Sequence, residues 1–319
     1  MTQLQVATVG IDDLDDLRHV LGSGYLHCVP LGRGVPTGTV CHASIGEVLL
    51  RAGQLSADVR GRAGVDGDRN RISFTVKLDS EARVFSFRSG HEVLPGEVFR
   101  LARGDVNDYR LNGRLCFALI SLSTALLARH GGDEALRGDV GFWEQHVWFR
   151  APEAIRRSAV RSVRRTLAHV FDAARPITGQ ALRQLQSDLV EPFLWCILSD
   201  ERNPEERHAP SAATIVRNVE NWVDGQSPQT IQIADLCRAL RLSRRTLHRA
   251  FAETLGVGPA GYLTRKRLTA VRTELRRSDP AAINVTDVAT KYGFWELGRF
   301  ARDYRRTFGE RPSETLGRR

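Results

Sequence analysis

The sequence lacks the segments that mark membrane and secreted proteins. No run approaches the roughly 18 apolar residues that a membrane-spanning helix needs. The first 17 residues include four aspartates and no apolar core, which is not the pattern of a signal peptide. The five cysteines are dispersed and show no CxxC spacing, so no disulfide framework is expected. We therefore predict a cytoplasmic protein without a membrane partner.

The motifs of common enzyme and metal sites are missing as well. GxSxG, P-loop and GxGxxG patterns do not occur, and no His-x-His pair precedes a glutamate. His27-Cys28 and Cys41-His42 form a mirrored pair, but adjacent strand residues point to opposite faces, so each pair offers one ligand per side. Structural zinc needs four converging ligands. We predict no enzymatic activity, no catalytic residues, no metal and no cofactor.

The net charge of +9 lies entirely in the last third of the chain. Residues 211–319 hold 20 Lys and Arg against 11 Asp and Glu, whereas the preceding residues hold 26 of each kind. Lysine is rare, with three among 46 basic residues. GC-rich coding explains arginine in place of lysine, but it does not explain why acidic residues fall behind only at this end. Charge segregated in this way is typical of a module that binds a polyanion.

The spacing of apolar residues divides the chain into four segments and predicts an α+β protein. Residues 1–135 carry short alternations such as RISFTVKL between Gly, Pro, Asp and Asn clusters, which predict a β-rich domain, either a cupin-like barrel or a sandwich. Residues 136–200 change to helical spacing and predict two antiparallel helices that either cover this domain or form a homodimer. Residues 201–210 are a predicted linker, and residues 211–319 a predicted all-α domain.

The all-α segment contains an internal repeat of two helices joined by a tight turn. The two copies are IADLCRALRLSRRTLHRAFAETLG (233–256) and VTDVATKYGFWELGRFARDYRRTFG (285–309). Leu247 and Phe251 of the first copy correspond to Phe300 and Tyr304 of the second, and their i,i+4 spacing predicts core anchors. Two short helices with such a turn form the helix-turn-helix motif.

A basic face points outward on the second helix of each copy if these anchors point inward. Arginine is the commonest reader of guanine because its planar fork donates two parallel hydrogen bonds to O6 and N7. A single arginine is more often a phosphate contact, but the repeated arrangement favours base reading. The predicted DNA-binding residues are Arg244, Arg245, His248, Arg249, Glu296, Arg299 and Arg302.

A continuous helix is predicted between the copies, over residues 259–278. Twenty residues make a helix of about 30 Å, and successive turns of the major groove lie roughly 34 Å apart. The spacer would therefore place the recognition helices near 243–255 and 296–308 on adjacent groove turns of double-stranded DNA. Arg265, Lys266 and Arg267 on this helix are expected to contact phosphates if they touch DNA.

From about Ser211 to Leu316 the sequence resembles the AraC-type (AraC/XylS) family of bacterial transcription regulators. The match is carried by LSRRTLHRAFAETLG and by VTDVATKYGFWELGRFARDYRRTFGERPSETL, and GFW…GRFA…DY…FGE is most similar to the branch containing the ethanolamine-operon regulator. The resemblance implies a small-molecule-responsive activator that works with RNA polymerase. It also implies an N-terminal effector domain, whose binding residues are unknown, and a helical dimerisation region.

The turns and helix starts depart from the family pattern. Arg241 stands where the family often has glycine, whereas Gly293 can supply the unusual backbone angles of the second turn. Ser243 is a good N-cap, and Glu296 is a poorer one that could instead accept a hydrogen bond from cytosine N4. For Trp295 a place in the core is favoured over packing on the sugar-phosphate backbone.

Two other classes of function stay open. One is a metal-binding cupin-like enzyme fused to a nucleic-acid-binding domain, which stoichiometric metal in the purified protein would support. The other is an RNA-binding adaptor. RNA modules need exposed aromatic residues on a sheet or a GXXG loop, whereas the aromatic residues of the all-α segment fall mainly on inward positions.

Overall fold

The computed structural model describes residues 4–17, 23–65, 68, 70–79, 81–101, 103–131, 147–171, 179–201, 212–226 and 231–317. Except for its first residue, the predicted linker 201–210 lies outside the described residues. The strands are β1 (Gln5–Ile11), β2 (Ser23–Pro30), β3 (Thr37–Ile45), β4 (Val48–Val65), β5 (Arg71–Lys77), β6 (Arg83–Ser86), β7 (His91–Glu92), β8 (Val98–Leu101), β9 (Val106–Ser123) and β10 (Trp148–Phe149). The helices are α1 (Thr124–Gly131), α2 (Glu153–Phe171), α3 (Gly179–Leu198), α4 (Ala212–Asp224), α5 (Ile233–Ala239), α6 (Arg244–Leu255), α7 (Pro259–Arg277), α8 (Val285–Lys291), α9 (Leu297–Phe308) and α10 (Pro312–Gly317).

Two long antiparallel strands, β4 and β9, form the centre of the sheet. One end of β4 pairs with β3 and the other with β2, while β9 pairs with β5 and β6 at its two ends. The main path of the sheet runs β1-β3-β4-β9-β5-β8-β10. The antiparallel sheet and the helices confirm the α+β class. Whether the β-rich part is better described as a cupin-like barrel or as a sandwich stays a prediction.

The strands are longer than the sequence indicated, because glycines inside β4 do not interrupt it. A Cβ atom at Gly53 would collide with the backbone of Thr39 on β3, and one at Gly61 would collide with the ring of Tyr109. These glycines therefore permit close packing across the sheet. β10 is a second difference, since it lies inside the predicted helical segment 136–200 and adds to the sheet edge beside β8.

Helices α2 and α3 pack against one face of the sheet. Leu189 and Phe193 of α3 belong to the same buried cluster as Phe74 and Ile120 of the strands. This packing supports the first of the two predicted roles, that of covering the β-rich part. Formation of a homodimer by these helices stays a prediction.

The helices from α4 onward pack on the opposite part of the sheet. Val216 and Leu247 share a buried cluster with Val29 and Phe87, and the helices α7–α9 share another with residues of β1, β3 and β9. Helix α7 lies directly on β2. No helix in the described ranges is long and apolar enough to cross a membrane.

Candidate nucleic-acid interface

Two helix pairs, α5 with α6 and α8 with α9, have the same arrangement. Each pair is joined by a turn that contains one residue with positive φ, Arg241 at 52° and Gly293 at 77°. Glycine adopts this conformation freely, whereas a residue with a Cβ is disfavoured there by roughly 1–2 kcal/mol. The prediction that Gly293 supplies an unusual backbone angle is confirmed, and Arg241 adopts the left-handed conformation at the position where the resemblance led us to expect glycine.

The caps and anchors of the second helices follow the sequence prediction. The Ser243 hydroxyl accepts a hydrogen bond from the Thr246 backbone N–H at 3.0 Å, whereas Glu296 makes no side-chain cap. The predicted anchors are all buried: Leu247, Phe251, Phe300 and Tyr304. A buried inner face on α6 and on α9 fixes which residues each helix presents to solvent.

The seven predicted DNA-binding residues are all exposed. They are Arg244, Arg245, His248 and Arg249 around the outer face of α6, and Glu296, Arg299 and Arg302 around the outer face of α9. Arg249 lies 3.8 Å from Glu253, and Arg299 lies 3.8 Å from Asp303. Exposed pairs of this kind contribute at most about 1 kcal/mol, so both guanidinium groups can exchange these partners for a polyanion.

Trp295 does not lie in the core, and that prediction is wrong. Its side chain is 75% exposed, immediately before the N-cap of α9. The reason is that Phe294 takes the inner position and packs against Phe300, with ring centroids 5.1 Å apart and the ring planes tilted by 44°. The preceding aromatic residue thus fills the space that the sequence analysis assigned to the indole.

The basic residues of the connecting helix α7 face protein partners. The Lys266 ammonium group lies 2.5 Å from the Asp224 carboxylate of α4, and the Arg267 guanidinium lies over the Phe294 ring at 5.0 Å. Arg265 is half-buried and donates to the Pro30 carbonyl of β2 at 3.5 Å. These contacts give each of the three side chains a partner within the protein, and the expectation that they contact phosphates if they touch DNA stays a prediction.

A buried ionic cluster joins the β-rich part to helices α4 and α7. The Arg60 guanidinium of β4 lies 2.6 Å from the Glu220 carboxylate of α4 and also contacts Asp108, and the Tyr262 hydroxyl of α7 donates to Glu220. Burial alone would lower the pKa of Arg60, but the two carboxylates outweigh it and hold that pKa above its usual value. Burial next to Glu220 raises the pKa of the Tyr262 phenol. This cluster is absent from the sequence predictions, although the position of Glu220 next to Val219 and one turn after Val216 is a signal that its side chain faces inward.

A second buried cluster joins the N-terminal segment to the second helix pair. Arg272 of α7 contacts Asp13 and lies 3.2 Å from the carboxylate of Glu310, which follows α9. Thr315 donates to that carboxylate at 2.9 Å and accepts from the hydroxyl of Tyr304, a core anchor of α9, at 2.8 Å. A chain of hydrogen bonds therefore leads from Asp13 to α9. Nothing in the sequence around Asp13 indicates this contact with Arg272.

Two cavities bear on ligand binding. One of about 120 Å³ lies among apolar residues of the sheet, with Lys77 in its lining. The other, of about 510 Å³, lies between the sheet and the helices and is lined by Arg62, Asp224, Lys266 and Thr269 among others. Among the described residues, no three His, Cys, Asp or Glu side chains are grouped so that they could hold a metal ion.

The chain is similar to several transcription regulators. A helix-turn-helix domain model matches residues 236–318. The chain is 36% identical over 158 residues to the probable thc operon regulatory protein of Rhodococcus erythropolis. The aligned region covers 47% of this chain and 46% of that protein. It is 24% identical over 303 residues to the XylDLEGF operon transcriptional activator 3 of Pseudomonas putida. The aligned region covers 92% of this chain and 86% of that protein.

The chain is also similar to two solved structures. A probable AraC family transcriptional regulator from Rhodopseudomonas palustris is 38% identical, with 32% of this chain and 94% of that chain covered and a TM-score of 0.30. The AraC-like transcriptional activator CuxR is 14% identical, with coverage of 85% and 96% and a TM-score of 0.41. The chain spans about half the length of the Rhodococcus relative. Residues 236–318 thus match a helix-turn-helix domain, and the two curated relatives are named as an operon regulatory protein and an operon transcriptional activator.

Proposed function

We propose that the protein is a ligand-responsive activator that reads two successive turns of the major groove with α6 and α9. The observation that carries this proposal is the placement of seven predicted contact residues on the exposed faces of two matching helices. Both helices have a buried inner face, so the outer faces are held in fixed directions by the core. Because the pair α5–α6 is repeated as α8–α9, we also propose two helix-turn-helix units in one domain.

The length of α7 supports this two-turn geometry. Its 19 residues span about 29 Å, close to the roughly 34 Å between successive turns of the groove. Each end of α7 is packed by a different helix pair, with Tyr262 in one cluster and Leu275 in the other. A rigid spacer of this length sets the distance between the two half-sites.

We assign base reading mainly to arginines near the starts of the two helices. Arg245 and Arg249 lie one turn apart on α6, behind a well-formed cap, and Arg302 lies in the second turn of α9. Side chains in these turns reach base edges, because recognition helices enter the groove near their N-termini. Glu296 makes no cap and can accept a hydrogen bond from cytosine N4.

The effector is proposed to bind in the cavity of about 510 Å³ between the sheet and the helices. This volume falls within the usual range of roughly 300–1,000 Å³ for ligand sites, whereas the cavity inside the sheet holds only about 120 Å³. The larger cavity is lined from both sides, by Arg62 of the sheet and by Asp224 and Lys266 of the helices. A ligand there would change contacts on which the position of α7 depends.

The remaining parts of the proposal rest on the sequence. They are the division into 1–135, 136–200, 201–210 and 211–319, a homodimer formed through the helices of the second segment, interaction with RNA polymerase, a cytoplasmic location and a place in the ethanolamine-regulator branch. Metal analysis of the purified protein tests the alternative of a metal-binding enzyme, because stoichiometric metal would favour it.

The direct test of DNA reading is selection of sites from random duplex DNA by the full chain. We expect two half-sites of different sequence separated by one helical turn, about 10–10.5 base pairs. Selection of a single short half-site, or of no common sequence, would contradict the proposal.

The effector site has its own test. Replacing Thr269, which lines the cavity, by tryptophan should abolish the rise in melting temperature that ligand hits from a metabolite screen give with the parent protein. Thr264→Trp, on the same helix but away from the cavity, is the matched control. An unchanged response of Thr269→Trp would place the effector elsewhere.

A further inference from the structure

The start of α9 exposes an apolar surface in an otherwise polar face. Trp295 is 75% exposed and Leu297 is 39% exposed. In the described ranges from residue 212 onward they are the only large hydrophobic side chains with this exposure. Gly298 lies between them and Arg299, and a Cβ atom there would meet nothing within 4 Å. The face thus combines an exposed indole with a bare stretch of backbone.

The equivalent face of α6 has a different chemistry. Aligned on Leu247 and Phe300, the two units place Arg244 and Arg245 of α6 where α9 has Leu297 and Gly298. The first two positions of α6 are therefore cationic, whereas the first two positions of α9 are uncharged and Trp295 precedes them. This difference leads us to expect different base preferences in the two half-sites.

The groove offers one apolar feature that matches this surface. Guanine presents two acceptors in the major groove, which suit the arginines of α6, while thymine presents its C5-methyl group, which suits an apolar side chain. The exposed Arg299 and Arg302 on the same helix favour a polyanion as the occupant, because their charge attracts phosphates. The missing side chain at Gly298 allows the helix to approach the base edges closely.

We propose that Trp295 reads a thymine methyl group in the half-site of α9. This inference rests on the proposed DNA reading by α6 and α9, and it adds that the two half-sites are recognised by different chemistry. The indole contacts the methyl group from the turn before the helix, and the arginines behind it contact the backbone or neighbouring bases.

The test removes one methyl group at a time from the DNA. The full chain first selects its site from random duplexes, and the half-site of α9 is identified as the one whose preference changes in Arg302→Ala. Each thymine of the site is then replaced singly by deoxyuridine, which lacks only the C5-methyl group. We expect about a fourfold loss of affinity at one thymine of the α9 half-site, the effect of one buried methylene-sized group, and no loss in the α6 half-site.

Variants complete the test. In Trp295→Ala the deoxyuridine substitution should no longer matter, and Trp195→Ala, which removes another exposed indole on α3, should keep the full methyl effect. Equal binding of thymine and deoxyuridine sites by the parent protein would overturn the inference while leaving DNA reading intact. If Trp295→Ala binds the thymine duplex and the deoxyuridine duplex more weakly by the same factor, the indole contacts the sugar-phosphate backbone. If Trp295→Ala loses transcription activation but not DNA affinity, the indole contacts a protein partner. Failure to select any site would refute the proposed function itself.

Discussion

Replacing Glu220 by alanine should destabilise the protein strongly, because Glu220 is the link between the sheet and the helices at the first buried cluster. Its carboxylate lies 2.6 Å from the Arg60 guanidinium and accepts a hydrogen bond from the Tyr262 hydroxyl. The side chains of Arg60 and Glu220 are 2% and 5% exposed, so water cannot replace the lost partner.

The expected magnitude follows from this burial. Removing one partner of a buried ion pair costs about 3–5 kcal/mol, since it leaves a charge without compensation. Here Asp108 still contacts Arg60, which places Glu220→Ala at the lower end of that range. Glu220→Gln keeps an acceptor for Tyr262 but loses the charge, and we expect it to cost about 1–3 kcal/mol.

Urea unfolding followed by circular dichroism measures these changes in the free energy of unfolding. Asp224→Ala is the matched control on the same helix, because Asp224 is 40% exposed and pairs with Lys266 at the surface. An exposed pair contributes at most about 1 kcal/mol. The reasoning is refuted if Glu220→Ala destabilises the protein no more than Asp224→Ala does.

Three further changes have distinct expected results. Gly298→Ala should raise the free energy of unfolding by about 0.5–1 kcal/mol, because the position is helical and has open space for a Cβ atom. The same change should weaken DNA binding in a gel-shift titration, because the added methyl group keeps α9 away from the bases. Tighter binding would argue against close approach of α9. Arg241→Gly should raise the unfolding temperature by relieving a positive φ, and a lower temperature would contradict this. Burial alone would raise the pKa of Asp13, but the nearby Arg272 guanidinium holds this pKa below its usual value. The ionised Asp13 carboxylate therefore contributes its full stabilisation above about pH 4, the pKa of the unfolded chain. This stabilisation is lost as the pH falls through the lower pKa of the folded protein. The stability difference between the parent protein and Asp13→Asn should therefore shrink below pH 4 in urea titrations; a constant difference would exclude this linkage.

Helices α6 and α9 could be predicted from the sequence because their determinants are local. The spacing of Leu247 and Phe251 fixes which face of α6 is inward, and Ser243 marks where the helix begins. The same logic applies to the anchors of α9. Trp295 was misplaced because two neighbouring aromatic residues competed for one inner position, and only the geometry of the turn decides that Phe294 occupies it.

Contacts between distant segments could not be predicted, because a single sequence contains no record of which residues meet. Arg60 and Glu220 are 160 residues apart, and Arg272 and Asp13 are 259 residues apart. The same limit applies to Lys266, because its place in the sequence gives no sign that Asp224 of α4 lies beside it. The long strand β4 was underestimated for a related reason, since its glycines allow close packing only against a specific neighbour.

Binding of Arg249→Ala and Arg302→Ala to a library of operator variants tests the central claim most directly. If each arginine makes a bidentate contact with guanine, each variant should lose about 1–3 kcal/mol at the cognate site, and non-specific binding should fall far less. The two variants should relax the preference at different base pairs, separated by roughly one helical turn, because α7 fixes the spacing. If Arg249→Ala loses the same amount of affinity for every operator sequence, Arg249 contacts a phosphate. Relaxation of the same base pair by both would contradict reading by two helices on successive turns.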